Sequence, residues 1–375
     1  MSLIIAEIGT AHDGAISKAK ELVDAAAGAG ADVIKFQWVY ADEILHPKTG
    51  IVKLPTGDIP LYERFRQLEC PPDFYCQMID YVHSKGCKFC CSPFGLRSLK
   101  ELLELKPDYV KIASPELNHF PMLKELAAYR EKVGAAAVPV ILSSGVSKLE
   151  DIKKAIDIVG TDNVWLLHCI TSYPAPESEY NLKVISTLAG QFGIECGVSD
   201  HSLDPVLVPC LSVACGGTVI EKHICLSRKD SGLDDPVALE PEQFAMMVHC
   251  VHQSEAALRH YGNEVGCERI FQQLAEQFGE EKVKLVLGDG IKKLAPAEEA
   301  NYGRTNRSIH YMHDMKKGDV IRAEDIGVLR TEKVLTPGLT PDWIDKVVGN
   351  VLKKDVESGQ GVQKEELSSL RGPGA

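Results

Sequence analysis

Two histidines follow two short apolar stretches of the chain. His201 comes after Gly-Val-Ser-Asp (197–200), and His223 comes after Thr-Val-Ile-Glu-Lys (218–222). If these stretches are adjacent strands of a parallel sheet, the two imidazoles converge on one divalent metal, since imidazole suits zinc, manganese or iron. Two histidines leave positions open for water or substrate. The alternative is a pair of polar histidines at the rim of the sheet that bind no metal.

Two lysines interrupt other apolar stretches, Lys35 in Val-Ile-Lys-Phe and Lys111 in Tyr-Val-Lys-Ile. An unpaired ammonium group is costly to bury, so each lysine faces an anionic ligand or pairs with a structural carboxylate. Hydroxyl groups end several other stretches, and this favours the ligand, because ammonium and hydroxyl groups together suit a phosphate and a carboxylate. The hydroxyl residues are Ser92, Ser114, Ser143 and Ser199.

Strand-like and helix-like segments alternate from residue 3 to residue 261, a pattern typical of parallel strands joined by helices. Several strands are apolar almost to their last residues, as expected for parallel strands covered on both faces. The predicted strands span residues 3–9, 32–37, 87–92, 108–114, 138–145, 163–169, 194–200 and 218–223. The predicted helices span 17–29, 72–85, 96–105, a segment after Pro121, 148–159, segments that begin near Asn181 and Pro205, and 241–261.

Eight strands, each followed by a helix, fit an α/β fold of the (β/α)8 TIM-barrel type over residues 1–262. A doubly wound open sheet is the alternative. Barrel enzymes carry their active sites at the C-terminal ends of the strands, so the histidines, lysines and serines are expected to meet there. Residues 263–303 are charged and partly helical, and we interpret them as a linker. Residues 304–375 contain short strand-like pieces and a Lys-Lys-Gly-Asp turn, which predicts a second, small β-rich domain.

The composition argues against several classes of protein. The 375 residues carry a net charge of −12, whereas nucleic-acid-binding surfaces are basic. No apolar run approaches the ~20 residues of a membrane span, and the N-terminus does not resemble a signal peptide, so we expect a cytoplasmic protein.

Cys87 and Cys90 form a Cys-x-x-Cys pair, which would suit zinc or redox chemistry. Without a second such pair, we interpret them as small buried residues of a strand, with reduced thiols.

An ordered set of motifs runs through the barrel region: Ala-Glu-Ile-Gly-x-x-His-Asp-Gly (6–14), Val-Ile-Lys-Phe-Gln (33–37), Cys-Ser-Pro-Phe (91–94), Val-Lys-Ile-Ala-Ser-Pro-Glu (110–116), Ile-Leu-Ser-Ser-Gly (141–145), Leu-Leu-His-Cys-x-x-x-Tyr-Pro-x-Pro (166–176), Gly-Val-Ser-Asp-His (197–201) and Ile-Glu-Lys-His (220–223). With these motifs the chain resembles the sialic acid synthase family, which includes N-acetylneuraminate, legionaminate and pseudaminate synthases and SpsE. From Arg304 onward it resembles the family's C-terminal SAF, or antifreeze-like, domain.

The resemblance implies a reaction in which phosphoenolpyruvate condenses with an open-chain N-acetylated amino sugar, such as N-acetylmannosamine, to give a nonulosonic acid and phosphate. It implies a divalent metal on His201 and His223, with Mn²⁺ expected first and Mg²⁺ or Co²⁺ as alternatives. Phosphoenolpyruvate would be held by Lys35, Ser92, Lys111, Ser114, Ser143, Thr171 and Ser199. The amino sugar would face Glu7, Tyr173 and Asp234. Catalytic roles would fall to His201, Glu7 and Glu116, and Glu116 would orient or deprotonate the attacking water.

The resemblance also implies a domain-swapped homodimer, because Arg330 matches an arginine that the SAF domain contributes to the partner subunit's site. The linker of ~40 residues is long enough to carry the module away from its own barrel. Three positions depart from the family pattern. Ala11 and Thr171 replace asparagines, and Thr331 stands where proline usually follows the arginine.

Two other functions are kept as alternatives. One is a 3-deoxy-sugar-acid phosphate synthase, which also uses phosphoenolpyruvate on a TIM barrel but has no counterpart of the SAF-like C-terminus. The other is a non-catalytic carbohydrate-binding protein, which has no need for two buried lysines and a pair of metal-binding histidines. The identity of the sugar is not predicted, although segments 38–70 and 224–240 are expected to shape its pocket.

Overall fold

The computed structural model describes residues 1–54, 57–230 and 232–368. Eight parallel strands form a closed barrel in the order β1-β10-β9-β8-β7-β6-β5-β2, which confirms the TIM-barrel prediction over the open sheet. The barrel strands are β1 (Leu3–Gly9), β2 (Val33–Trp38), β5 (Lys88–Pro93), β6 (Tyr109–Ile112), β7 (Val140–Ser143), β8 (Val164–Cys169), β9 (Glu195–Asp200) and β10 (Val219–His223). A hairpin of β3 (Ile51–Leu54) and β4 (Gly57–Pro60) lies in the connection after β2.

Helices follow the barrel strands and cover them with one large apolar core. Local sequence sets several helix ends: Pro72 and Pro241 stand at the first positions of their helices, and Gly160 and Gly262 follow the last positions of theirs. The helices are α1 (Ile16–Gly28), α2 (Ala41–Ile44), α3 (Leu61–Leu68), α4 (Pro72–Ser84), α5 (Leu96–Glu104), α6 (Phe120–Val133), α7 (Leu149–Val159), α8 (Val184–Phe192), α9 (Leu207–Ala214), α10 (Pro241–Tyr261), α11 (Asn263–Phe278), α12 (Glu280–Leu287), α13 (Pro296–Glu299) and α14 (Ile344–Val347).

The interior of the barrel changes from apolar to polar along its axis. A small apolar cluster fills its lower part and consists of Ile5, Val33, Cys90, Ile141, Leu167 and Val219. Because side chains two residues apart in a strand point to the same face, the next inward position of each strand lies one layer higher. Those positions are occupied by Glu7, Lys35, Ser92, Ser143, Cys169 and Glu221. The strand period therefore places a ring of polar groups at the C-terminal mouth of the barrel.

Residues 263–303 differ from the predicted linker in one respect. Most of them are helical, and α11 packs against α9 and α10 on the outside of the barrel. The free connection is therefore shorter than the sequence suggests, since only residues after α12 lead to the next module.

The C-terminal module is built on an antiparallel pair, β11 (Arg307–Tyr311) and β12 (Ile326–Arg330). It has its own apolar core, which includes Ile309, Tyr311 and Val362, and this confirms the small β-rich domain. Residues 369–375, the end of the predicted module, lie outside the described residues. None of the described helices is both long and apolar enough to span a membrane.

Candidate active site

A cavity of about 400 Å³ opens at the mouth of the barrel. Side chains from the strand ends, from the loops that follow them and from the C-terminal module form its wall. Among the residues predicted from the sequence, the wall contains Glu7, Lys35, Ser92, Lys111, Ser114, Ser143, Thr171, Tyr173, Ser199, His201, His223, Asp234 and Arg330. Glu116 is the one predicted site residue that is not part of the wall.

Four charged side chains form a buried cluster on the floor of the cavity. Lys35 Nζ lies 2.6 Å from Glu7 Oε2 and 3.8 Å from Glu221 Oε2. Lys111 Nζ lies 3.2 Å from Glu221 Oε1, which also accepts a hydrogen bond from the Ser199 hydroxyl. Both lysines thus have carboxylate partners in the ligand-free chain, which was the alternative that the sequence left open. Both also line the cavity, so an anion can reach them.

The two carboxylates of this cluster differ in their affinity for a proton. Burial raises the pKa of Glu7, the charge of Glu221 raises it further, and Lys35 only partly offsets these effects. Burial acts on Glu221 in the same way, but Lys111 and Lys35 together lower its pKa to about 2. Carboxylates whose environments separate their pKa values in this manner often divide acid and base roles. Glu221 is therefore the stronger acid of the two, and Glu7 is the weaker.

Hydroxyl groups crowd around a glycine on one side of the cavity. Gly145 N donates to Ser114 Oγ over 3.0 Å, and a Cβ at this position would lie 2.0 Å from Thr171 Oγ1. Within the described chain, the buried hydroxyls of Ser143 and Thr171 have no hydrogen-bond partner. Buried polar groups are rarely left unsatisfied, so these hydroxyls mark the place of a ligand or of ordered water.

The two histidines lie close together, as their positions on adjacent strands predict. The ring centroids of His201 and His223 are 5.6 Å apart, and Tyr173 stacks on His201 at 4.2 Å. His201 Nδ1 lies 2.8 Å from the carbonyl oxygen of Ile170, which makes Nδ1 a donor, and His201 Nε2 lies 3.1 Å from the hydroxyl of Tyr173. A backbone carbonyl behind the ring is the usual orienting partner of a metal-bound histidine.

The donors around the histidines are few. No group of three or more His, Cys, Asp or Glu side chains arranged to hold a metal is found in residues 1–54, 57–230 and 232–368. Asp234 approaches His223 at 4.0 Å between Oδ2 and Nδ1. The residues fit a metal held by two imidazoles, with its other positions left for water and substrate.

Burial and neighbouring charges also shift the pKa values of Asp234 and His223. Burial and the nearby Glu7 raise the pKa of Asp234 to about 6. Burial and the proximity of His201 hold the pKa of His223 well below its usual value. A neutral imidazole is the form that binds a metal, and the state of His223 suits this role. Burial lowers the pKa of His201, but Cys169 and the carbonyl oxygen of Ile170 outweigh it and raise the pKa to about 9, so a metal would have to displace a proton from this ring.

The opposite face of the same two strands holds the histidine loop in place. Lys222 and Asp200 form a fully buried ion pair at 2.6 Å. Tyr180 donates to Asp200 and accepts a hydrogen bond from the backbone N–H of His201, each over 2.7 Å. The backbone of His201 is thus anchored independently of any ligand.

Glu116 lies behind the cavity wall rather than in it. It is fully buried, and its Oε1 accepts hydrogen bonds from Arg330, at 2.6 Å from Nη2, and from Arg307, at 3.0 Å. Both arginines thus donate to the same carboxylate oxygen. This placement does not support the expectation that Glu116 activates water.

Arg330 lies over the barrel of its own chain, whereas the resemblance implies that it serves the partner's site. Its guanidinium group is on the cavity wall and 5.3 Å above the ring of Phe94. Arg307 fixes the same module by donating to the backbone carbonyls of Glu43 and Phe94. Exchange between two subunits would keep these contacts and change only which chain supplies them.

An apolar wall faces the charged floor of the cavity. Its side chains come from α3 and from the loop after β10, which agrees with the prediction that segments 38–70 and 224–240 shape the pocket. These side chains are Leu61, Phe65, Leu233 and Val237.

The sequence did not single out two residues of this site. Glu221 partners both lysines, and its strand position two residues before His223 was the available signal, because such residues share a face. Arg307 gave no comparable signal, since its burial against Glu116 depends on how the two domains pack.

This arrangement combines a barrel, a buried cluster of lysines, carboxylates and hydroxyls, and a pair of histidines under a β-rich module. The chain belongs to the NeuB family, whose model matches residues 22–263. The model of the SAF domain matches residues 306–368.

Several proteins with stated activities are similar to this chain over almost its whole length. The N,N'-diacetyllegionaminic acid synthase of Legionella pneumophila is 30% identical, with 98% of this chain and 94% of that protein covered. The N-acetylneuraminate-9-phosphate synthase of Homo sapiens is 27% identical, with 96% and 91% covered. Among solved structures, the spore coat polysaccharide biosynthesis protein SpsE of Bacillus subtilis superposes with a TM-score of 0.80 at 29% identity, covering 99% of this chain and 96% of that one.

Proposed function

We propose that this chain condenses phosphoenolpyruvate with an open-chain N-acetylated amino sugar to form a nonulosonic acid and phosphate. The observation that carries the proposal is the meeting of an ammonium–hydroxyl anion site and a histidine pair in one cavity of about 400 Å³. Membership in the NeuB family and the synthase names of full-length relatives support the same reaction.

Phosphoenolpyruvate would bind over the buried charge cluster. Lys35 and Lys111 would contribute ammonium groups, and the unpartnered hydroxyls of Ser143 and Thr171 would donate hydrogen bonds to phosphate or carboxylate oxygens. Glu221 would remain as the shared counter-ion, so the lysines stay paired before the ligand arrives. The cluster would orient the reactant and hold its charge, which are the two main contributions expected for such a reaction.

His201 Nε2 and the ring of His223 would hold a divalent metal, for which we expect Mn²⁺ before Mg²⁺ or Co²⁺. A metal bound there would supply Lewis-acid polarisation of the sugar aldehyde. Tyr173, whose hydroxyl lies 3.1 Å from His201 Nε2, would close the site above the ring.

The reaction forms a carbon–carbon bond between the methylene carbon of phosphoenolpyruvate and the aldehyde carbon. Water adds to the neighbouring carbon, and the bond from that carbon to the phosphate oxygen breaks, so water is consumed and phosphate is released. The water gives up two protons as its oxygen becomes the ketone oxygen, and the aldehyde oxygen and the released phosphate each take up one. Glu7, which lies on the cavity wall and whose pKa is raised by burial, would relay the proton to the aldehyde oxygen. Glu116 is assigned no proton transfer, because it is not part of the cavity wall.

The amino sugar would extend from the histidines toward the C-terminal module. Leu61 and Phe65 offer an apolar surface for carbon-bound hydrogens or the acyl methyl group. Arg330 offers a planar donor for the acyl oxygen and sugar hydroxyls.

We also propose that the enzyme is a homodimer whose SAF modules are exchanged, as the resemblance implies. The twelve free cysteines support a reducing compartment, for which we propose the cytoplasm.

The direct test is to incubate the chain with phosphoenolpyruvate, Mn²⁺ and a panel of N-acetylated hexosamines, with phosphate release and product mass as readouts. We expect phosphate release that depends on the sugar and a product with the mass of a nonulosonic acid. His201→Ala, with an intact fold, is expected to be inactive. Turnover with arabinose 5-phosphate instead would identify a 3-deoxy-sugar-acid phosphate synthase. If no phosphate is released with any of these acceptors, the chain is not a synthase of either kind.

A further inference from the structure

The loop after β7 contains an unusual backbone conformation. Val146 has a φ of +40°, which a β-branched residue rarely adopts, and its side chain is fully buried. Such a conformation persists only when its surroundings hold it, and it is often found at functional sites. Val146 lies three residues after Ser143, which ends β7 on the cavity wall.

A buried carboxylate from the connection between the two domains holds this loop. Glu298 is fully buried, and its Oε1 accepts hydrogen bonds from Val146 N and from Thr171 N, both over 2.7 Å. Its Oε2 accepts a third hydrogen bond from Ala295 N over 3.1 Å. Across the described ranges, no Lys, Arg or His lies within salt-bridge distance of Glu298, so its direct partners are backbone N–H groups, and the ammonium group of Lys292 acts on it electrostatically from further away.

The same connection also holds the other side of Val146. Asn306 Nδ2 donates to the carbonyl oxygen of Val146 over 3.0 Å, and Lys292 Nζ donates to the carbonyl oxygen of Ser144 over 3.0 Å. Both backbone groups of the strained residue are therefore bound by residues from outside the loop.

The two segments that Glu298 joins are those that carry the unpartnered hydroxyls. One segment contains Ser143 and Gly145, and the other contains Thr171, whose Oγ1 would lie 2.0 Å from a Cβ on Gly145. Because the two segments pack so closely, we expect that a displacement of one pushes on the other. The hydroxyls of Ser143 and Thr171 would then both shift relative to Lys35 and Lys111. Glu298 itself is not on the cavity wall.

We propose that Glu298 is a positioning residue for the phosphoenolpyruvate half of the site. It fixes Val146 and Thr171 so that their segments present hydroxyl groups to one anion. This inference rests on the proposed function and deepens it, because it assigns control of the anion site to the connection that leads to the SAF domain. The segment of Thr171 also contains Ile170, whose carbonyl oxygen lies 2.8 Å from His201 Nδ1, so the binding of phosphoenolpyruvate without metal or sugar is the measurement that reports on the anion half alone.

Glu298→Gln is the sharpest test, because it keeps the shape of the side chain and changes its hydrogen bonding. A carboxylate has two acceptor oxygens, whereas an amide has one acceptor and one donor group. Three backbone N–H groups face the side chain, so the amide must turn its own N–H group toward at least one of them. Glu299→Gln is the matched control, since Glu299 is the next residue and is exposed.

Two measurements separate positioning from simple stability. The first is the Kd for phosphoenolpyruvate, measured by calorimetry without acceptor or metal, and the second is the KM for each substrate. We expect Glu298→Gln to raise the Kd and KM for phosphoenolpyruvate at least about tenfold, while the KM of the sugar changes by less than about twofold. Glu299→Gln is expected to match the wild type. If Glu298→Gln does not fold, Asn306→Ala is expected to cause a smaller loss in the same direction.

Equal effects on both substrates, or a lower melting temperature with unchanged phosphoenolpyruvate binding, would overturn the proposal and leave the proposed function standing. A wild-type chain that binds neither phosphoenolpyruvate nor inorganic phosphate would overturn both. Restoring Kd by adding Val146→Gly to Glu298→Gln would support the proposal, because glycine adopts a positive φ without help.

Discussion

At the scale of single residues, the site pairs each buried charge before any ligand binds. Two lysines and two glutamates share one polar layer, and Glu221 contacts both ammonium groups. Removing one partner of a buried ion pair leaves an uncompensated charge, which costs about 3–5 kcal/mol. A bound anion can add to this cluster because Glu7, whose pKa is raised, can give up its charge by taking a proton.

Replacing Lys111 with methionine tests whether the cluster binds an anion. Lys111 and Glu221 are 3.2 Å apart, and both side chains are almost fully buried. We expect Lys111→Met to lower kcat/KM for phosphoenolpyruvate at least about tenfold, or about 1.4 kcal/mol. Lys153→Met is the control, because Lys153 forms an exposed pair with Asp157 on α7. Unchanged kinetics in Lys111→Met would show that the lysine has only a structural role.

Asp234 predicts a pH dependence of stability. Burial and Glu7 raise its pKa to about 6 from the usual 3.8, so the folded chain binds a proton that the unfolded chain releases at lower pH. The protonated Asp234 therefore stabilises the folded state fully below about pH 4, and this stabilisation is lost as the pH rises through about 6. We expect Asp234→Asn to match the wild type in melting temperature at pH 4 and to exceed it at pH 8, in metal-free samples. A constant difference across this range would contradict the assigned pKa.

At the scale of elements, the period of the strands explains why so much of the site was predictable. Alternation puts Lys35 above Val33 and Ser143 above Ile141, and a closed barrel brings all these layers to one axis. The pairing of Lys35 with Glu7 was not predictable, because it depends on the register Glu7↔Lys35 between β1 and β2. The hairpin β3–β4 was missed as well, since its segment carries no strong alternation.

Gly145 provides a test of close packing between the loops after β7 and β8. A methyl group there would lie 2.0 Å from Thr171 Oγ1 and 2.8 Å from Ser114 Oγ, so one of these hydroxyls must move. We expect Gly145→Ala to raise the KM for phosphoenolpyruvate at least about tenfold with little change in that of the sugar. Gly190→Ala in α8 is the control, because nothing lies within 4 Å of the added carbon. That control is expected to stabilise the helix by about 0.5–1 kcal/mol. Normal kinetics in Gly145→Ala would mean that the hydroxyls do not bind the anion.

At the scale of the whole molecule, the sequence predicted both domains but not how they meet. The barrel and the β-rich module each follow from local patterns, whereas Arg307 is buried against Glu116 from a strand 191 positions away in the chain. Contacts between domains produce no helical or strand periodicity in the sequence, because the contacting residues of each domain look like ordinary polar surface residues. For the same reason Glu116 was predicted at the reacting centre and lies instead between Arg307 and Arg330.

The exchange of SAF modules between subunits is testable by mixing Arg330→Ala, which is expected to use the sugar poorly, with His201→Ala, which is expected to be inactive. In Arg330→Ala, the donor expected to face the sugar is missing, and in His201→Ala the metal site is lost. In an exchanged dimer, a hybrid of the two variants has one site in which both residues are intact. Equal mixing makes about half of the dimers hybrids, so about one quarter of the sites should regain activity.

Arg330→Ala alone is expected to raise the KM of the sugar more than that of phosphoenolpyruvate, because Arg330 lies on the cavity wall above Phe94, away from the lysine cluster. Subunit exchange is verified first with two differently tagged wild-type chains. If tagged chains exchange and mixing gives no activity beyond that of Arg330→Ala alone, Arg330 serves the barrel of its own chain, in the contact with Glu116 described above.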